Sequence, residues 1–142
     1  MTAIKVPYLV VDDDEVDVMA IKRVFKKMGI EDRMSVAHNG LEALEKLRGE
    51  NGHTPMRMPY MILLDLNMPK MNGLEFLKTI RSDPKLSSSI VFILTTSRDE
   101  KDRMAAYNLN VAGYIVKSEA GRTFDQTIEM LETYRELVEF PN

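Results

Sequence analysis

The chain has 142 residues, with 19 basic and 22 acidic side chains and a formal net charge of -3, which gives room for one compact domain over 1–142 and none for a second full one. It contains no cysteine and only two histidines, His38 and His53, so disulfides, thiolate catalysis, thiolate zinc and multi-histidine metal sites are excluded. The mildly acidic balance gives no basic stripe for nucleic acid, and no apolar run approaches a membrane span or a signal-peptide core. The expected setting is therefore the cytoplasm, with neither nucleic acid nor membrane as partner and with carboxylates, hydroxyls and lysines left to carry any chemistry.

In chain order, the first apolar run is Val6 to Val11, followed by an acidic stretch, Asp12-Asp13-Asp14-Glu15-Val16-Asp17. Val18, Ile21, Phe25 and Met28 then repeat at helical spacing up to Gly29, a stop signal. A weaker β-branched run, Met34 to Ala37, leads to a second helical stripe, Leu41, Leu44 and Leu47, stopped at Gly49. Residues Gly49 to Pro59 carry two glycines and two prolines beyond any periodicity and read as a long surface loop.

The third run, Tyr60 to Leu64, ends in Asp65. After it, Asn72 with Glu75 forms a loose capping box ahead of Leu74, Leu77 and Ile80. The fourth run, Ile90 to Leu94, ends in Thr95-Thr96-Ser97, where Ser97 with Glu100 fits a capping box for a less regular helix reaching Leu109. The fifth, Val111 to Val116, ends in Lys117. Thr123 with Gln126 caps the last stripe, in which Phe124, Ile128, Leu131, Tyr134 and Val138 share a face. Continuous apolarity without alternation indicates strands buried on both faces, and the strict strand–helix alternation indicates an α/β fold with a mostly parallel sheet and helices on either side.

In such open sheets, ligands bind at the carboxyl ends of the strands. The runs end in Asp12-Asp13, Asp65, Thr95 and Lys117, so carboxylates, a hydroxyl and an ammonium converge on one sheet edge. Two unit charges about 4 Å apart repel by roughly 4 kcal/mol at an effective dielectric near 20, so either a proton is shared or a cation neutralises them. An all-oxygen donor set selects a hard ion such as Mg2+, and Mg2+ in turn suggests phosphoryl chemistry. Asp14, Glu15 and Asp17 are expected to remain solvated at a helix N-terminus, where the dipole favours them.

Four blocks, Val10-Val11-Asp12-Asp13, Leu64-Asp65-Leu66-Asn67-Met68-Pro69-Lys70-Met71-Asn72-Gly73, Leu94-Thr95-Thr96 and Gly113-Tyr114-Ile115-Val116-Lys117, resemble the signature of two-component response-regulator receiver domains over residues 6 to 138. That resemblance implies a single flavodoxin-like (βα)5 unit with strand order 2-1-3-4-5. It implies Asp65 as phosphoacceptor for a sensor histidine kinase, and Mg2+ held by Asp12, Asp13, Asp65 and the backbone carbonyl of Asn67. It further implies Thr95 and Lys117 on the phosphoryl group and Tyr114 as the aromatic that moves inward behind Thr95.

The implied activity is phosphoryl acceptance and self-dephosphorylation, a signalling role with no separate output domain and readout by protein–protein contact. The implied dimer pairs the face of the fourth helix, fifth strand and fifth helix. The segment Leu131 to Pro141 resembles stand-alone receivers that partner bacterial and cyanobacterial phytochromes, although Arg135 stands where that subgroup often has tryptophan. Ser118 replaces the proline that usually follows the family's lysine. Two other classes fit less well. A haloacid-dehalogenase-type phosphatase wants an acid where Asn67 stands, and an FMN module wants a hydroxyl- and glycine-rich loop where Asp12-Asp13-Asp14 would repel phosphate.

Overall fold

A computed structural model describes residues 6–119 and 124–141. Five strands, β1 (Tyr8–Val11), β2 (Met34–Ala37), β3 (Met61–Leu64), β4 (Ile90–Thr95) and β5 (Gly113–Val116), alternate with five helices. These are α1 (Glu15–Lys27), α2 (Gly40–Arg48), α3 (Gly73–Ser82), α4 (Glu100–Asn108) and α5 (Asp125–Leu137). All strand pairs are parallel, in the order β2-β1-β3-β4-β5. This is the flavodoxin-like order that the resemblance implies.

The apolar runs conceal a period of two. On one face Leu9, Val11, Ile62, Leu64, Val91 and Ile93 pack with Leu44 and Leu47 of α2, Phe76, Leu77 and Ile80 of α3, and Ala106 of α4. On the other, Tyr8, Val10, Met61, Leu63, Phe92 and Leu94 meet Ile21, Val24 and Phe25 of α1 and Ile128 and Leu131 of α5. Because helices cover both faces, every second residue is as apolar as its neighbour, and the strands read as unbroken hydrophobic runs.

The helix termini agree with the sequence in part. Asn72 and Glu75 form a reciprocal capping box on α3, and Gly49 closes α2 in the left-handed region at φ 75°. Ser97 does not cap α4. Asp99 does, accepting from the Lys101 amide, while the Ser97 hydroxyl donates to Asp102 at 2.6 Å and accepts from the Asp99 amide at 3.2 Å. Thr123 lies outside the described residues. Phe124 precedes α5 as its N-cap, at φ 63°, and is buried in the core. Leu41, read as part of the α2 stripe, is exposed. Among the described residues no helix is long and apolar enough to cross a membrane.

Candidate functional site

Parallel pairing sets the site. Val11 lies beside Leu64 and Leu64 beside Ile93, while Thr95 lies beside Val116. The residues following β1, β3 and β5 are Asp12, Asp65 and Lys117, so a single register delivers all three to one edge. Backbone bonds extend the ladder by a residue, from the Asp65 amide to the Val11 carbonyl and from the Asp12 amide to the Ala37 carbonyl, both 2.9 Å. Asp12, Asp65 and Thr95 are buried, Asp13 is exposed, and one carboxylate oxygen from each of Asp12, Asp13 and Asp65 lies within 4.8 Å of the others.

The start of α3 fixes the Asp65 loop. The Gly73 amide donates to the Leu66 carbonyl at 2.9 Å, and a Cβ on Gly73 would stand 2.3 Å from the Asp65 carbonyl oxygen. Only glycine admits this approach. The Asn67 amide reaches Asp65 Oδ1 at 3.4 Å.

Lys117 is the cation of the site. Its side chain is 8% exposed, and Nζ lies 2.7 Å from Asp17 Oδ2, 2.9 Å from Asp12 Oδ2 and 3.3 Å from Asp65 Oδ2. Burial alone would lower the lysine's pKa, but the bonds to Asp17 and Asp12 and the fields of Asp12 and Asp65 outweigh it and raise it. Burial pushes the Asp12 carboxyl up to about 6, against the Lys117 bond and the Asp14 amide, with the Asp65 charge adding to the rise. Asp12, Asp17 and Asp65 face the one ammonium of Lys117 and Asp13 stands beside them, so negative charge exceeds what that ammonium offsets. That excess and the purely oxygen donor set suit a hard divalent ion, and Asp12, Asp13 and Asp65 are the side chains able to hold it.

Thr95 ends β4, its Oγ1 accepting from the Ser97 amide at 3.4 Å. Tyr114, on β5, donates its hydroxyl to the Ser97 carbonyl at 3.1 Å and is half-buried. The aromatic thus bonds the loop that follows Thr95. The only cis peptide among the described residues is Met58–Pro59, so the Lys117–Ser118 bond is trans. From Lys117 the chain enters a 3-10 turn, Lys117–Glu119, where Ser118 Oγ accepts from Arg98 at 2.8 Å.

Asp17 corrects the sequence reading, which left it solvated. It is placed with the site by continuing the inward stripe of α1, four residues before Ile21 and seven before Val24, back to the sheet edge. That stripe was the signal in the sequence. The neighbouring Asp14 and Glu15 are exposed as expected, Asp14 capping α1 through bonds from the Val16 and Asp17 amides.

The family profile of the response regulator receiver domain matches residues 8–129. The chain belongs to the response regulator receiver family. Response regulator Rcp1 of Synechocystis sp. is 32% identical over 126 residues, covering 89% of this chain and 86% of Rcp1. The phosphorylated cyanobacterial phytochrome response regulator RcpA has a similar structure, with a TM-score of 0.86, 31% identity, and coverage of 98% of this chain and 100% of RcpA. The Mn2+-bound form of Rcp1 superposes with a TM-score of 0.76 at 30% identity, covering 95% of this chain and 98% of that one.

Receiver domains are phosphoacceptor signalling domains that bind Mg2+ or Mn2+ at an acidic pocket. Those of phytochrome response regulators accept the phosphoryl group from histidine kinases.

Proposed function

We propose that residues 1–142 act as one receiver unit in which Asp65 accepts a phosphoryl group from the phosphohistidine of a sensor kinase, a bacterial phytochrome being the kinase type favoured by the likeness to Rcp1 and RcpA. The observation carrying this reading is the buried Asp65 carboxylate set among Asp12, Asp13 and Lys117 at the strand ends. An Asp65 oxygen attacks phosphorus, the P–O bond forms as the P–N bond breaks, and the neutralised imidazole departs on the kinase. Asp12, Asp13, Asp65 and the Asn67 carbonyl would hold Mg2+, which supplies charge neutralisation for the phosphoryl oxygens. Lys117 pairs with one of those oxygens and the Thr95 hydroxyl donates to another. Water later hydrolyses the acyl phosphate and returns the carboxylate.

The product adds about -1.5 to -2 of charge and three acceptor oxygens. Thr95 drawn towards it pulls the loop to which Tyr114 is bonded, and Tyr114 follows inward, which transmits the event to α4 and β5. Incubation with acetyl phosphate and Mg2+, followed on a phosphate-retarding gel, should shift the native chain and leave Asp65→Asn unshifted; equal labelling of the two would refute the assignment.

We infer that readout is a protein–protein contact on the α4–β5–α5 side, and that a second copy is one occupant. Exposed Met104 and Tyr107 on α4 and Met130 and Leu137 on α5 support it. Light scattering on the eluting protein should give a dimer mass that Met104→Glu with Tyr107→Glu reduces to a monomer; a monomer with and without phosphorylation would exclude the dimer.

A further inference from the structure

Lys117 has three ammonium protons and three carboxylate partners, at 2.7 Å to Asp17, 2.9 Å to Asp12 and 3.3 Å to Asp65. The shortest contact is to the one carboxylate outside the Asp12–Asp13–Asp65 trio, and the longest is to the phosphoacceptor. Asp12 has little to spare, since Oδ1 already accepts from the Asp14 amide at 2.9 Å and Oδ2 faces the lysine. An ammonium held by Asp12 and Asp65 alone would occupy the oxygens a divalent cation needs, and would repel that cation across the same few ångströms.

We propose that Asp17 is a positioning residue that draws the Lys117 ammonium to the α1 side of the pocket and so loosens its hold on the Asp12 and Asp65 oxygens that a divalent ion would take. The idea rests on the metal site of the proposed function. Asp17 lies outside that trio and meets the site through Lys117. Its place suits this, three residues after the Asp14 cap, because the first turn of a long packed helix is a rigid mount. Once Asp65 carries a phosphoryl group, the lysine has a stronger acceptor within reach and can leave Asp17, so the same contact sets a resting position and permits departure.

The test is a double-mutant cycle on the full chain, with Mn2+ alone as probe and the electron paramagnetic resonance signal of free Mn2+ as readout. Asp17→Asn should weaken Mn2+ binding about tenfold, the scale of losing a group that positions a site's immediate neighbours. In a Lys117→Ala background the same substitution should change the affinity by less than about twofold, since no ammonium remains to be held. Asp17→Glu should restore most of the loss, which separates the role from folding, and circular dichroism melts confirm that each variant is folded. Equal weakening in both backgrounds would reduce Asp17 to a general negative charge, and no weakening in either would remove it from the site; both outcomes overturn the proposal. Asp13→Asn tests the underlying reading. If it binds Mn2+ as the native chain does, or the native chain binds none, the metal site itself fails, whereas a weakened Asp13→Asn beside an unaffected Asp17→Asn sinks only the role of Asp17.

Discussion

At the scale of single residues, the site depends as much on what is missing as on what is charged. Gly73 carries no side chain, and the space where one would stand is filled by the Asp65 carbonyl oxygen at 2.3 Å and the Leu66 Cα at 2.7 Å. Those neighbours are backbone, so neither can rotate away, and relief requires that the Asp65 loop or the whole of α3 move. Gly73→Ala should therefore cost about 1–3 kcal/mol in urea unfolding, the scale of overpacking a tight contact, and should slow acetyl-phosphate labelling of Asp65 even where the protein is fully folded. Gly29→Ala provides the contrast: a Cβ there meets nothing within 4 Å, but φ is 73°, so its cost is confined to local backbone strain and labelling should stay at the native rate.

At the scale of elements, what was legible in the sequence follows from how each piece is buried. β3 and β4 are covered on both faces, so Ile62, Leu63, Ile93 and Leu94 announce a strand whatever its register, and the strand ends then give Asp12, Asp65, Thr95 and Lys117 directly. α3 was equally plain, with its cap and stripe agreeing. α4 was not, because only Ala106 is buried while Met104 and Tyr107 face outward; a helix packed through one small residue leaves little periodic signal. Ser97 was misread for a related reason. A hydroxyl three residues before Glu100 satisfies the capping pattern, yet Asp99 takes the amide and Ser97 bonds the side chain of Asp102. Phe124 fits the stripe of α5 by spacing, but its left-handed backbone makes it the residue that turns the chain into the helix. Asp17 was missed because an acid beside other acids reads as solvent-facing, and only its distance from Ile21 and Val24 set it apart from Asp14 and Glu15.

At the scale of the whole molecule, the amino-terminal side of the sheet has a polar joint of its own, far in sequence from Asp65's loop. Glu132 of α5 accepts from the Tyr8 hydroxyl of β1, from Arg33 Nη2 at 2.5 Å and from Arg135 Nε at 3.3 Å, while Arg33 also reaches the Val6 carbonyl at 3.4 Å. Arg135, which stands where the phytochrome-associated subgroup often has tryptophan, is thus a partner in this joint and not a solvated charge. Burial alone would raise the Glu132 carboxyl, but the Tyr8 and Arg33 bonds and the fields of Arg33 and Arg135 prevail and hold it below the ordinary 4.5. A carboxyl depressed on folding stabilises the fold above its unfolded value and loses that contribution as pH falls through its folded value. Glu132→Gln keeps the shape and removes the charge, so it should cost about 2 kcal/mol at neutral pH, the range for hydrogen bonds to a charged group. The gap between the native and variant urea midpoints should stay constant from neutrality down to the ordinary carboxyl range and close below it, as the native glutamic acid is protonated too. A gap that persisted undiminished into strong acid would show that Glu132 contributes through packing and not through its charge.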